Sequence, residues 1–167
     1  MNDSAQNIDV DHHANDNNNL AIVLYHATAE KNLQSIAENG LRPRTYFTCD
    51  DDICDYYAET VREEGDACVI LAVDLADLDP ASLSPDFPGI EEPITTCLDI
   101  GEEDVAIKWE ESSQQWRDSL VIVKTLRCES VIPAASIRVV DDAGEHHLLT
   151  EYVQRAAKHS RLPRNGV

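Results

Sequence analysis

Four side chains in the first third of the chain have types and a spacing that can do chemistry. His26 and Thr28 stand in the run Leu24-Tyr25-His26-Ala27-Thr28, Tyr46 in Tyr46-Phe47-Thr48, and Tyr57 in the pair Tyr56-Tyr57. A histidine offers a donor or an acceptor whose charge switches near neutral pH. Two tyrosines offer π-faces that attract flat or cationic groups. Each residue also has a plain structural use, His26 as a hydrogen-bonded packing residue, Thr28 as a helix cap and the tyrosines as core. Their order along the chain is what suggests a site for a flat, partly cationic ligand.

The elements that would position these residues can be read from pattern. Ala21 to Tyr25 is a short apolar, β-branched run of strand type, and Thr28 has the hydroxyl to cap a helix over Ala29 to Asn39. Gly40 stands where a left-handed helix end favours glycine, and Arg42-Pro43-Arg44 forces an extended link into a second strand at Thr45 to Thr48. Asp50 to Asp52 supply acids for the start of a helix running to about Glu64. Ala67 to Leu75 reads as a central strand, and the proline-rich stretch from Asp77 to Thr96 as a long loop. Ile100 to Trp116 is expected to be helical, Ser119 to Leu126 and Ile137 to Val140 to be strands, and Glu151 to His159 a terminal helix.

This order is not a strict alternation of strand and helix, and no glycine-rich phosphate loop follows a strand. A doubly wound dinucleotide fold is therefore excluded. The expectation is α+β: early helices and a mixed or antiparallel sheet. Residues 1–19 are expected to form a disordered acidic tail, 20–142 the folded domain, and 143–167 a C-terminal helix and tail.

Composition narrows the function classes. The 167 residues carry 32 acidic against 13 basic side chains, a net charge of −19, so most of the surface should repel phosphate backbones. Arg42, Arg44 and the tail from Arg155 to Arg164 are the local exceptions. The five cysteines are scattered and form no CxxC pair, which argues for reduced thiols and against a structural zinc site. The His12-His13 pair among aspartates reads as a solvated tail, and no metal is expected. No stretch approaches the apolar length of a membrane span, so a soluble, cytoplasmic protein without a membrane partner is expected.

The block from Tyr25 to Tyr57 resembles the ADP-ribosyltransferase fold, in the His-Tyr-Glu branch of diphtheria-type toxins and poly(ADP-ribose) polymerases. Tyr25-His26-Ala27-Thr28 is similar to that family's Tyr-His-Gly-Thr strand. Leu33-x-x-Ile36-x-x-x-Gly40-Leu41 is similar to its following helix and turn, and Tyr46-Phe47 with Asp50 to Ala58 to its second motif. The likeness is closest over residues 22–60. It implies a split sheet whose cleft binds NAD without a glycine loop. His26 would bond the adenosine-side ribose, and Ala27, standing where glycine is usual, would hold the nicotinamide amide through its backbone. Tyr46 and Tyr57 would sandwich the ring, and Arg42 and Arg44 could grip the pyrophosphate; Thr28, beside Ala27, has a hydroxyl that could bond a ligand amide or cap the helix.

The same resemblance implies ADP-ribose transfer to a macromolecular acceptor with release of nicotinamide. A carboxylate at the start of a late strand would stabilise the developing charge on the ribose. The matching position is Asp118, in Asp118-Ser119-Leu120-Val121-Ile122, with Ser119 beside it; Glu91, Glu92 and Glu111 are alternative sources of the acid. RNA 2′-phosphotransferases of the same fold, which pass an RNA phosphate to NAD, and a non-catalytic nucleotide- or protein-binding module are the alternative functions. The acidity also allows a nucleic-acid mimic.

Overall fold

The computed structural model of the protein describes residues 21–160. The expected acidic tail over 1–19 and the basic residues beyond 160 lie outside the described residues. Within them, seven strands form one sheet: β1 (Val23–Ala29), β2 (Thr45–Thr48), β3 (Cys68–Asp74), β4 (Leu83–Pro85), β5 (Thr125–Cys128), β6 (Arg138–Val140) and β7 (His146–Leu148). Their spatial order is β4-β5-β2-β1-β3-β6-β7. Each pairing among the described residues is antiparallel, so the α+β expectation holds and the sheet is not mixed.

The pairing is uneven, and the unevenness makes the site. β1 pairs with β3 along its whole length, from Val23↔Asp74 to Ala29↔Cys68. β2 pairs with β5 at all four of its positions. Between β1 and β2 the ladder holds at a single point, Tyr25↔Thr48. The sheet is therefore divided into two well-paired halves that diverge from this point.

Alternation along the strands sorts the side chains by face. Leu24 on β1, Leu71 and Val73 on β3 and Val139 on β6 join the main core. It includes Leu33 and Ile36 of helix α1 (Leu33–Asn39) and Leu149 of helix α6 (Leu149–Ser160). The alternate residues Tyr25, Ala27 and Ala72 lie on the other face, where helix α2 (Asp51–Glu63) packs. The Asp50 side chain caps α2 by accepting from Ile53 N at 3.1 Å, so the acids at 50–52 serve as expected. A smaller cluster of Ile90, Val105 and Val123 joins helices α3 (Phe87–Glu91), α4 (Glu102–Glu111) and α5 (Trp116–Ile122).

Three local expectations are corrected. β1 runs on to Ala29, because its pairing with β3 continues; Thr28 is thus a buried strand residue that accepts from Asn32 Nδ2 at 3.2 Å and caps no helix. The proline-rich segment contains an edge strand, β4, and α3; Pro85 is tolerated because an edge leaves one side of the ladder unused. The expected strand from Ser119 to Leu126 is helix as far as Ile122 and strand only from Thr125. A capping box between Gln115 and Asp118 starts α5, and Lys124 at φ 62° turns the chain into β5 at Thr125. A short apolar run fits either element by periodicity, and the cap decides.

The turn at 141–145, where a boundary was expected, joins the paired strands β6 and β7. α6 then sets Leu149 fully into the core, which ties the C-terminal helix to the domain.

Candidate functional site

Where β1 and β2 diverge, a cavity of about 400 Å³ opens. Tyr25, His26 and Ala27 line it from β1, Tyr46 and Phe47 from β2, and Tyr57 from α2. A second cavity of about 460 Å³ lies against α1 and the turn after it, lined by Asn32, Ser35, Asn39 and Arg42 among others. His26 and Thr45 line both. The two are thus lobes of one cleft, the first mostly apolar and aromatic, the second polar.

His26 bridges the gap left by the broken ladder. Its Nδ1–H donates to the Tyr46 carbonyl at 3.0 Å, satisfying an acceptor that sheet pairing would otherwise have used. A carbonyl can only accept, so the proton sits on Nδ1 and Nε2 is left as an acceptor. Burial against Phe47, ring centroids 5.8 Å apart, pushes the His26 pKa below its ordinary value, and the bond to Tyr46 opposes that in part. The ring is therefore neutral at neutral pH.

Tyr46 is fixed from β5. Arg127, opposite it in the register, donates from Nη1 to the Tyr46 hydroxyl at 3.3 Å and carries its guanidinium 5.7 Å from the ring centroid. Glu129 in turn accepts from Arg127 Nε at 2.7 Å. Tyr57 packs edge-on against Tyr56 with centroids 5.6 Å apart. Burial, and next the negative charge of Asp86, raise the Tyr57 pKa, so its phenol stays protonated. Both rings keep accessible surface, 37% for Tyr46 and 42% for Tyr57, which leaves faces for a ligand.

Arg44 sits on the turn that leads into β2 at φ 68°, a left-handed conformation unusual for a residue with a Cβ. Pro43 before it and the Thr45 hydroxyl, donating to the Arg42 carbonyl at 2.7 Å, hold this turn, and Arg44 N donates to Cys128 O at 2.7 Å. Arg44 lines the aromatic lobe and Arg42 the polar one. Gly40, at φ +76°, closes α1 against Ile132, whose carbonyl would lie 2.2 Å from any Cβ added there. Cys54 also lines the aromatic lobe, but burial pushes its thiol up to about 12, so it stays protonated and is no nucleophile. All five cysteines are free thiols.

Of the residues singled out from sequence, His26, Ala27, Arg44, Tyr46 and Tyr57 come together at the aromatic lobe, and Thr28 faces the polar one. Asp118 does not join them. Its carboxylate accepts from Ser113 Oγ at 2.6 Å and from Gln115 N at 3.0 Å at the start of α5, and these bonds hold its pKa below the ordinary carboxylate value. Glu91 lies on a separate groove with Glu102, Glu103 and Trp109; neither Glu92 nor Glu111 lines the cleft.

Among the described residues lining either lobe, the one carboxylate is Asp86, only 3% exposed. Sequence reasoning passed over Asp86 and Arg127. The Pro85-Asp86-Phe87-Pro88 string carried a usable signal for Asp86, an acid before a proline-started helix turn. Arg127 has no signal short of the β2–β5 register. Compared with protein-family models, with curated proteins and with solved structures, the chain matches none.

Proposed function

We propose that the cleft binds NAD and that the protein is an ADP-ribosyltransferase of the His-Tyr-Glu kind, transferring ADP-ribose to a macromolecular acceptor with release of nicotinamide. The observation that carries this reading is the position of His26 at the junction of an aromatic and a polar lobe. A dinucleotide has the same two-part chemistry, a flat cationic ring at one end and a nucleoside rich in hydroxyls at the other. His26 Nε2 accepts a ribose hydroxyl. Tyr46 and Tyr57 offer faces to the ring, Arg44 and Arg42 meet the pyrophosphate, and Asn32, Ser35 and Asn39 serve the adenosine side.

Arg127, through the Tyr46 hydroxyl, holds that ring in place and acts as a positioning residue. Asp86 supplies the negative charge that the cleavage of a ribose–pyridinium bond calls for, in place of a carboxylate at the head of a late strand. The test is incubation of purified protein with NAD labelled in the adenylate and with a cell lysate. Label on a macromolecule together with free nicotinamide is the expected result; absence of both overturns transfer.

A second reading, a binding module of the same cleft without turnover, is favoured by the position of Asp118 outside the cleft. It predicts that NAD raises the melting temperature and no nicotinamide appears.

A further inference from the structure

The short helix that follows Asp86 leads from the cleft to a second surface. Asp86 caps α3, its Oδ1 accepting from Gly89 N at 2.9 Å, and Ile90 lines a groove of about 430 Å³ between α3 and α4. Asp86 lines the cleft and Ile90 the groove, so about 6 Å of helix axis separates the two.

The floor of the groove is apolar. Ile90, Ala106 and Trp109 line it, over the small cluster in which Val105 is fully buried. Trp109 is half-buried, and Phe87 stands edge-on to its ring with centroids 6.2 Å apart. The other tryptophan, Trp116, carries the Arg117 guanidinium 4.3 Å from its ring centroid; Trp109 has no such cation among the described residues.

The walls are acidic. Glu91, Glu102, Glu103 and Glu110 border this floor, all exposed, and none is in an ion pair among the described residues. Positions 102, 103, 106, 109 and 110 recur at helical spacing, so acids, alanine and indole share one face of α4. The helix dipole favours Glu102 and Glu103 in the first turn and disfavours Glu110 in the last. With a net charge of −19, acids are common over the chain, and it is their union with an open indole that marks this place.

Such a groove is complementary to side chains that are apolar along the stem and cationic at the tip. Arginine suits it best, because its planar head stacks on an indole and donates in pairs to carboxylates. A phosphate backbone would meet four like charges there.

We infer that the α3–α4 groove docks an arginine- or lysine-rich segment of a partner protein. Trp109 takes the cationic head on its face, and the glutamates hold the flanking charges. The groove does this by itself, whatever ligand the cleft takes, and a partner held there lies beside the cleft.

The experiment is fluorescence anisotropy on the full chain at about 0.15 M salt, where distant charges are screened. The probes are a labelled twelve-residue peptide of arginine, leucine and alanine, the same peptide with glutamate for arginine, and a twelve-nucleotide single strand of DNA. The arginine peptide is expected to bind and the other two are not. Glu103→Gln with Glu110→Gln is expected to weaken the arginine peptide about fivefold. Asp142→Asn with Glu145→Gln removes the same two charges from the β6–β7 turn, at the opposite edge of the sheet from β4, and should weaken it less than about twofold. These four side chains are exposed, so both pairs should melt with the wild type. Trp109→Leu keeps an apolar side chain and loses the aromatic face, for a further loss of about fivefold.

Equal losses in the two charge pairs overturn the inference, since net charge alone would then hold the peptide. An unchanged affinity in a folded Trp109→Leu also overturns it, and if that variant does not fold the two charge pairs decide. So does failure of the arginine peptide to bind, or tighter binding of the DNA, which would make the partner a nucleic acid. A peptide of residues 161–167 that binds more tightly than the probe, or a dimer in sedimentation that Glu103→Gln with Glu110→Gln dissolves, would give the groove to this chain itself and overturn the assignment to a partner.

Discussion

The two lobes of the cleft meet at His26 and are made in opposite ways. The polar lobe is mostly local. Apart from Val131, its lining falls between His26 and Thr45, and Asn32, Ser35, Asn39, Gly40 and Arg42 follow one another from the start of α1 through its closing turn. The aromatic lobe is assembled from β1, β2, α2, the β4–α3 junction and the start of β5, with about a hundred residues between its first and last contributors, Tyr25 and Thr125. The comparison teaches that a polar surface can rest on exposed, near-sequence side chains. An aromatic pocket such as this one takes walls from distant parts of the chain that hold one another in register.

The largest expected effect breaks the polar lobe outright. Gly40→Ala forces a Cβ to within 2.2 Å of the Ile132 carbonyl at φ +76°. A loss on the order of 3 kcal/mol in urea unfolding is expected, and a loss below ~1 kcal/mol would mean that the α1 end relaxes freely. Next, His26→Ala removes the shared wall, so ADP-ribose and 1-methylnicotinamide should each bind about tenfold more weakly, worth ~1.4 kcal/mol. A change confined to one ligand would show that the lobes are independent.

Tyr57→Ala separates them. The stacking lost is about 1 kcal/mol, a roughly fivefold weaker hold on 1-methylnicotinamide, while ADP-ribose affinity should not move. Arg44→Gly sets stability against binding. Glycine relieves the φ 68° conformation, so denaturation should show a gain of up to ~1 kcal/mol, whereas titration with ADP-ribose should show weaker binding. If both fall together, the Arg44 side chain supports the fold.

The smallest effect is a slope. His26 has a folded pKa below the ordinary value of 6.5, chiefly because it is buried. As pH falls through about 6.5 the unfolded chain takes up the proton first, so stability declines, and the decline ends once the folded histidine also protonates. His26→Gln should flatten that part of the stability curve. An unchanged slope in the variant would show that other groups produce it.

Much of the near wall was legible before any fold was known. The β1–α1–β2–α2 order, the acids that open α2 and the glycine at the helix end follow from short-range pattern; that His26, Tyr46 and Tyr57 share one cavity was suggested by their order and by the family resemblance. The far wall was not. Four prolines hid β4, and the run Ser119 to Val123 reads equally as strand or helix until the Gln115–Asp118 box is recognised. That misreading carried Asp118 toward the site and left Asp86 out of it.

By itself, then, the sequence determined which residues share a local element and what chemistry the histidine and tyrosines can offer. Propensity, capping and periodicity act over a few residues and need no partner. Which carboxylate enters the cleft and which arginine steadies Tyr46 were decided by the tertiary structure. They depend on the β2–β5 register and on the single-point contact between β1 and β2, and those pairings bring together segments that no local rule relates.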